Sequence, residues 1–143
     1  MEAHTNTNNE TKNIVFMPGV FNETMQLLND AHDYFHQYGQ SDQARIEGEL
    51  RPLYSCEMSR ITLRLSSIMA WLLVQRAVFA GQLDAQDAAN KYSLDFQEIC
   101  RVDNQVLHGV LPSYVCFLLD STYELYERVF RLDEQIKQQH QIH

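Results

Sequence analysis

Glycine and proline are too scarce here to punctuate a chain of short strands: five and three residues in 143. With 45% hydrophobic residues, that scarcity points to long ordered segments and away from the turn-rich all-β classes. Cysteine is equally sparing. Cys56, Cys100 and Cys116 are odd in number, far apart and free of any C-x-x-C spacing. That excludes a disulfide framework and a zinc knuckle, and leaves three reduced thiols in a core. Positive charge is short as well, with 11 Lys and Arg against 19 Asp and Glu, a net charge of −8 and no dense basic run. Binding to a phosphate backbone depends on clustered Lys and Arg releasing counterions, so no nucleic-acid partner is expected. The longest apolar run, Ile68 to Val74, falls far short of the ~20 residues that span a bilayer. The opening "MEAHTNTNNETKN" has neither the basic start nor the apolar run of a signal peptide. A soluble, cytoplasmic protein with no membrane span is the expectation.

Catalytic signatures are missing too. There is no G-x-S-x-G elbow and no Gly-rich phosphate loop. Asp84, Asp87, Asp95, Glu98 and Asp103 have the spacing of a solvated face. No catalytic residue, metal site or cofactor is therefore assigned, and the chain is read as a non-enzyme.

What is present is helical periodicity. Residues 1–13 form a Thr/Asn-rich tail with little to bury and are expected to be disordered. One domain follows over 14–137, with 138–143 as a fraying end. "IVFMPGVF" is an apolar lead-in broken at Pro18-Gly19, after which Asn22 suits the N-cap of a first helix running to about Tyr38. Leu27, Leu28, Ala31, Tyr34, Phe35 and Tyr38 give it one apolar stripe, and Gly39 stands where a left-handed terminator belongs. Pro52 opens a second helix that continues to about Ala80, with Gly81 to stop it. Its first face carries Tyr54, Met58, Ile61, Leu65, Ile68, Leu72 and Phe79; its second carries Leu63, Ala70, Val74 and Ala77. A helix apolar on two faces is central, within one chain or across an oligomer interface. Asp84 suits the N-cap of a shorter helix, its pattern continuing through Leu94, Phe96, Ile99 and Val102 as one bent helix. After "HGVLPS" a final helix spans about Ser113 to Lys137, with Val115, Leu118, Leu119, Thr122, Leu125, Tyr126, Val129, Leu132 and Ile136 at helical spacing. The fold class is all-α, an antiparallel bundle of three long helices and one shorter.

Two stretches invite a functional reading. "HDYFH" nearly spells the H-E-x-x-H of zinc peptidases. A zinc site needs both histidines on a buried face, a third ligand and a carboxylate that reaches the metal-bound water. His32 and His36 instead fall roughly 80° and 120° from the centre of the apolar stripe. They are read as a solvated edge. The second stretch is "MSRITLRLSSIMAWLLVQRAVFAGQ". Arginine among apolar neighbours must be paired, so Arg60, Arg64 and Arg76 either staple helices internally, through partners such as Glu124 or Glu127, or join Trp71 and Gln75 in a polar-rimmed partner-binding or dimer surface.

That same stretch resembles a family signature. Ser59, Arg60, Thr62, Arg64, Leu65, Trp71, Leu72, Leu73, Gln75, Arg76, Ala77, Val78 and Gly81 match the pattern of the regulator of CtrA degradation (RcdA) family, small helical proteins of alphaproteobacteria. Leu111, Pro112, Ser121, Leu125, Tyr126, Arg128, Val129, Leu132 and Asp133 resemble that family's last helix. The resemblance implies a dimeric helical bundle without catalytic chemistry. It also implies an adaptor role, delivering a response-regulator cargo such as CtrA to the ClpX protease machinery together with a CpdR-like response regulator. A metal- or small-molecule-binding bundle and a purely structural homodimer are the alternatives.

Overall fold

The computed structural model describes residues 4–103 and 109–141, with side chains for 18–103 and 109–140. Every regular element among them is helical: α1 (His4–Tyr34), a π-helical turn (Phe35–Gly39), α2 (Gln40–Arg45), a 3-10 turn (Gly48–Leu50), α3 (Arg51–Phe79), α4 (Ala85–Lys91), α5 (Gln97–Cys100) and α6 (Ser113–Gln141). At 1.5 Å per residue α3 and α6 are each about 43 Å long.

The bounds that follow from local chemistry hold. Pro52 sits in the first turn of α3, where its missing N–H costs nothing. Gly81 adopts φ +75° and closes that helix in the left-handed region, while Asp84 accepts the Asp87 N–H at 3.1 Å to start α4.

Three expectations are corrected. Helix α1 starts at His4, not Asn22, and passes through Pro18. Extending a formed helix adds one hydrogen bond for each residue fixed, so a helix propagates more easily than it starts. Pro18 and Gly19 are exposed. Gly39 does not end the helix: its φ of −58° is helical, and one widened turn leads on to Arg45. The stripe ends early as a result, with Tyr34 buried but Phe35 and Tyr38 exposed. Finally, 84–102 is not one bent helix. α4 ends at Lys91, and the chain runs irregularly to Phe96 and resumes as the single turn of α5.

The core is drawn from all three long helices. Ile61, Leu65, Ile68 and Leu72 of α3 meet Val115, Leu118, Leu125 and Val129 of α6, with Val20, Leu27 and Tyr34 of α1 closing the third side. Directions follow from which ends touch. Tyr34 meets Tyr54 and Arg76 lies over Phe21, so α1 runs antiparallel to α3. Tyr34 also packs against Tyr114 with its ring tilted while Glu23 pairs with Arg128, so α1 is antiparallel to α6. Arg64 reaches Leu119 and Trp71 reaches Asp133, so α3 and α6 run parallel. The segment between them carries the chain back along the bundle, with Leu94 held at Asp133 and Arg101 at Glu127. By length and composition α3 is apolar enough to cross a bilayer. It is instead the central helix, and it buries Glu57 and Arg64 along its length.

Candidate functional site: a wired interior and an exposed rim

The residues singled out on α3 separate into inside and outside. Arg64 is only 2% exposed, and among the described residues its hydrogen bonds go to carbonyls and a hydroxyl. Its Nε donates to the Cys100 carbonyl at 2.9 Å and Nη2 to the Val102 carbonyl at 2.7 Å. Nη1 donates to the Leu119 carbonyl at 2.9 Å and to Thr122 Oγ1 at 3.2 Å. Four of the five donor positions of a guanidinium are thus engaged. The carbonyls of Cys100 and Val102 lie at the C-terminal end of α5, where backbone dipoles favour a cation. Burial, and then neighbouring Arg60, pull the Arg64 pKa below the ordinary guanidinium value. Arg64 is an internal staple. It binds carbonyls of the returning segment and α6 and leaves Glu124 and Glu127 aside, because its fork reaches the end of α5 first.

A second hub mirrors it. Asp133 is buried in α6, and its Oδ1 accepts the Trp71 Nε1–H at 3.0 Å. Its Oδ2 accepts the Leu94 N–H at 3.2 Å and faces Lys137 Nζ at 3.2 Å. Trp71 is therefore also an interior residue and not part of a surface rim. Nearby, Tyr126 Oη donates to the Asp95 carbonyl at 2.6 Å. At the other end, Tyr34 Oη donates to Asp42 Oδ2 at 2.6 Å and sits 3.1 Å from Tyr54 Oη. Burial raises the pKa of both Tyr34 and Tyr126, reinforced at Tyr34 by the Asp42 hydrogen bond and at Tyr126 by the field of Cys100.

Of the remaining sequence candidates, Arg60 is half-buried, its Nη1 2.7 and 2.8 Å from the two oxygens of buried Glu57. Gln75 is half-buried, and Arg76 is exposed with its guanidinium 5.0 Å from the centre of the Phe21 ring. Of the five residues expected at a partner-binding or dimer surface, Arg60, Gln75 and Arg76 keep solvent exposure. His32 and His36 are exposed, with ring centres 4.6 Å apart. Among the described residues no group of three His, Cys, Asp or Glu side chains is placed to hold a metal ion. Asp84, Asp87, Asp95, Glu98 and Asp103 are all exposed.

Sequence reasoning missed Asp133 and Tyr126 as fixing points for the return segment. A lone Asp on the apolar side of an otherwise regular helix was the available signal, since a buried carboxylate requires donors. The exposed apolar side chains were missed as well. Leu73 and Phe79 on α3 and Phe35, Tyr38, Tyr114 and Phe117 near the opposite end all face solvent.

Polar groups invested in helix joints and apolar groups left at the surface define the class: an all-α helical bundle with apolar side chains on its outer faces. The chain belongs to the family described as "Protein of unknown function (DUF1465)", whose model matches residues 9–143. It is similar to the crystal structure of RcdA from Caulobacter crescentus CB15, with 30% sequence identity, a TM-score of 0.68, and coverage of 85% of this chain and 91% of that one. The likeness drawn from the α3 and α6 residues is thereby shown, and this is an RcdA-family protein. No curated protein matches the chain.

Proposed function

We propose that the protein is a non-enzymatic, cytoplasmic protein–protein adaptor that promotes regulated proteolysis of cell-cycle response regulators such as CtrA by ClpXP. Its partners are the ClpX machinery, a CpdR-like response regulator and the regulator cargo. The observation that carries this reading is the likeness to RcdA over 85% of this chain and 91% of that one, supported by an interior whose charged groups are committed to joining helices. The mechanism is effective concentration: two weak contacts on one rigid scaffold convert the second binding step into an intramolecular one. A homodimer belongs to the same proposal. Ala70 and Leu73 lie exposed on the outer side of α3, an apolar helix that a second copy would cover.

Affinity capture of the tagged protein from its native lysate, followed by reconstitution, tests the proposal. Purified protein added to ClpXP, the CpdR-like regulator and a CtrA-type cargo is expected to accelerate cargo loss. Arg76→Glu, a folded surface variant, is expected to weaken that acceleration. Capture without ClpX, together with cargo loss unchanged by the protein, overturns the reading. A homodimer then remains to be decided by sedimentation.

A further inference from the structure

The stretch after α4 contains an arrangement that packing alone does not explain. Phe96 has φ 62° and ψ 34°, the left-handed region, and is the one non-glycine residue with positive φ among those described. For a bulky side chain this is a strained conformation that persists only when its surroundings fix it. They do. The Leu94 N–H is held by Asp133 and the Asp95 carbonyl by Tyr126 on one side of Phe96. On the other, the Phe96 carbonyl accepts the Ile99 and Cys100 N–H groups at 3.1 and 2.9 Å. Yet the ring so positioned is not buried. Phe96 is 55% exposed, Ile99 on the same turn 46% and Val102 beyond it 38%, while Leu94 and Cys100 point inward.

The charges along this ridge are mostly negative. From Tyr92 to Asp103 the acids are Asp95, Glu98 and Asp103, all exposed, and the single base is Arg101. Arg101 is engaged elsewhere: Nε and Nη2 bind Glu127 at 2.8 and 3.3 Å, and its guanidinium stacks 3.8 Å from the Phe130 ring centre. Three half-exposed side chains present far less than the ~800 Å² per partner that a stable pairing of two folded copies buries. A short segment fits this footprint.

We propose that Phe96, Ile99 and Val102 form a docking ridge for a cationic apolar segment of another protein, its apolar side chains on the ridge and its Lys or Arg against Asp95, Glu98 and Asp103. The contacts of Asp133 with Leu94 and of Tyr126 with Asp95 hold the backbone beside Phe96 and so keep its ring exposed, which makes Asp133 and Tyr126 positioning residues for it. The ridge stands on this surface alone and does not depend on the protease-adaptor reading.

The test is a fluorescence titration of the full chain with a synthetic amphipathic Leu/Lys peptide and with its Leu/Glu counterpart. Tighter binding of the Leu/Lys peptide by tenfold or more, weakened at high salt, is expected. Phe96→Gly is expected to raise the urea midpoint, because glycine tolerates this backbone, while weakening the peptide about tenfold. A residue with only a structural role would not move those two readouts in opposite directions. Ile99→Ser is expected to weaken the peptide by a similar factor, and Phe117→Ser, in the aromatic patch at the start of α6, to leave it unchanged. Equal binding of both peptides, unaltered affinity in Phe96→Gly and Ile99→Ser, or loss in Phe117→Ser instead overturns the proposal. So does conversion of a dimer to a monomer by Phe96→Gly in sedimentation, which would make a second copy the occupant.

Discussion

Replacing Arg64 by methionine keeps a long unbranched side chain and removes the fork. The carbonyls of Cys100 and Val102 then lose the donors that hold them at 2.9 and 2.7 Å, and Leu119 and Thr122 lose a third contact. Each acceptor stranded in the interior costs about 1–3 kcal/mol. Relief from burying an ion offsets part of that cost, so a net loss of about 3 kcal/mol is expected. With a urea slope near 2 kcal/mol/M for a chain of this size, the midpoint falls by about 1.5 M. Arg64→Lys supplies a point charge in place of a fork and is expected to recover less than half of the loss. Arg101→Met serves as the comparison. That residue is 44% exposed in an ion pair with Glu127, and its replacement is expected to cost about 1 kcal/mol or less. Amide exchange across 97–103 should accelerate in Arg64→Met before the core opens, because the return segment is what the guanidinium holds. A midpoint shift under about 0.5 M, or equal shifts for Arg64→Met and Arg101→Met, would refute the staple.

Three further outcomes follow from named contacts. Gly39→Ala should stabilise by about 0.5–1 kcal/mol, since its backbone is helical and a Cβ would meet the Phe35 ring at 3.7 Å, an ordinary contact; a lowered thermal midpoint would contradict this. The buried Ser67 Oγ finds no hydrogen-bond partner among the described residues, so Ser67→Ala is expected to be neutral or to stabilise by about 1 kcal/mol in urea titration, and clear destabilisation would reveal a hydroxyl contact. Tyr34 and Tyr126 have folded-state pKa values above the ordinary phenol value. Their contribution is complete below pH ~10 and is lost as pH rises further, because the unfolded chain ionises first, at up to about 1.4 kcal/mol per unit for each group. Urea midpoints at pH 8 and 10.5 should fall less in Tyr126→Phe than in the parent chain, and parallel falls would contradict the assignment.

Periodicity made the long helices legible. The α6 positions Val115, Leu118, Leu125, Tyr126 and Val129 are all buried, as their spacing requires. Turn chemistry fixed Pro52, Gly81 and Asp84 for the same reason: each acts through its own backbone. Gly39 defeated that logic. The glycine signal for a helix end assumes that the chain must leave the helix, whereas here a widened turn kept it going. Phe96, Ile99 and Val102 defeated it differently. Their spacing matches a core helix, but a single turn held by Asp133 and Tyr126 aims them outward, and those anchors lie 39 and 31 residues from the backbone groups they hold. Arg64 could be read as charge in need of a partner. That its partners would be carbonyls of a segment 36 to 38 residues further on depends on tertiary placement, which single-sequence patterns do not encode. The candidate surface suffered most: of five residues named for it, Arg64 and Trp71 are inside.

The parallel course of α3 and α6 has a kinetic consequence. The α1–α3 pair closes over a short link, with Tyr34 and Tyr54 only 20 residues apart, whereas Arg64 reaches Leu119 across 55 residues and Trp71 reaches Asp133 across 62. Loop-closure entropy grows with the logarithm of length and must be spent before the distant contacts return anything. The helical hairpin of α1 and α3 forms early on this account, and α6 docks onto it afterwards, drawing the return segment into place as Asp133 and Thr122 find their donors. Substitutions at those late joints would speed unfolding far more than they slow folding, so the lifetime of the folded chain is set at the seam between α3 and α6.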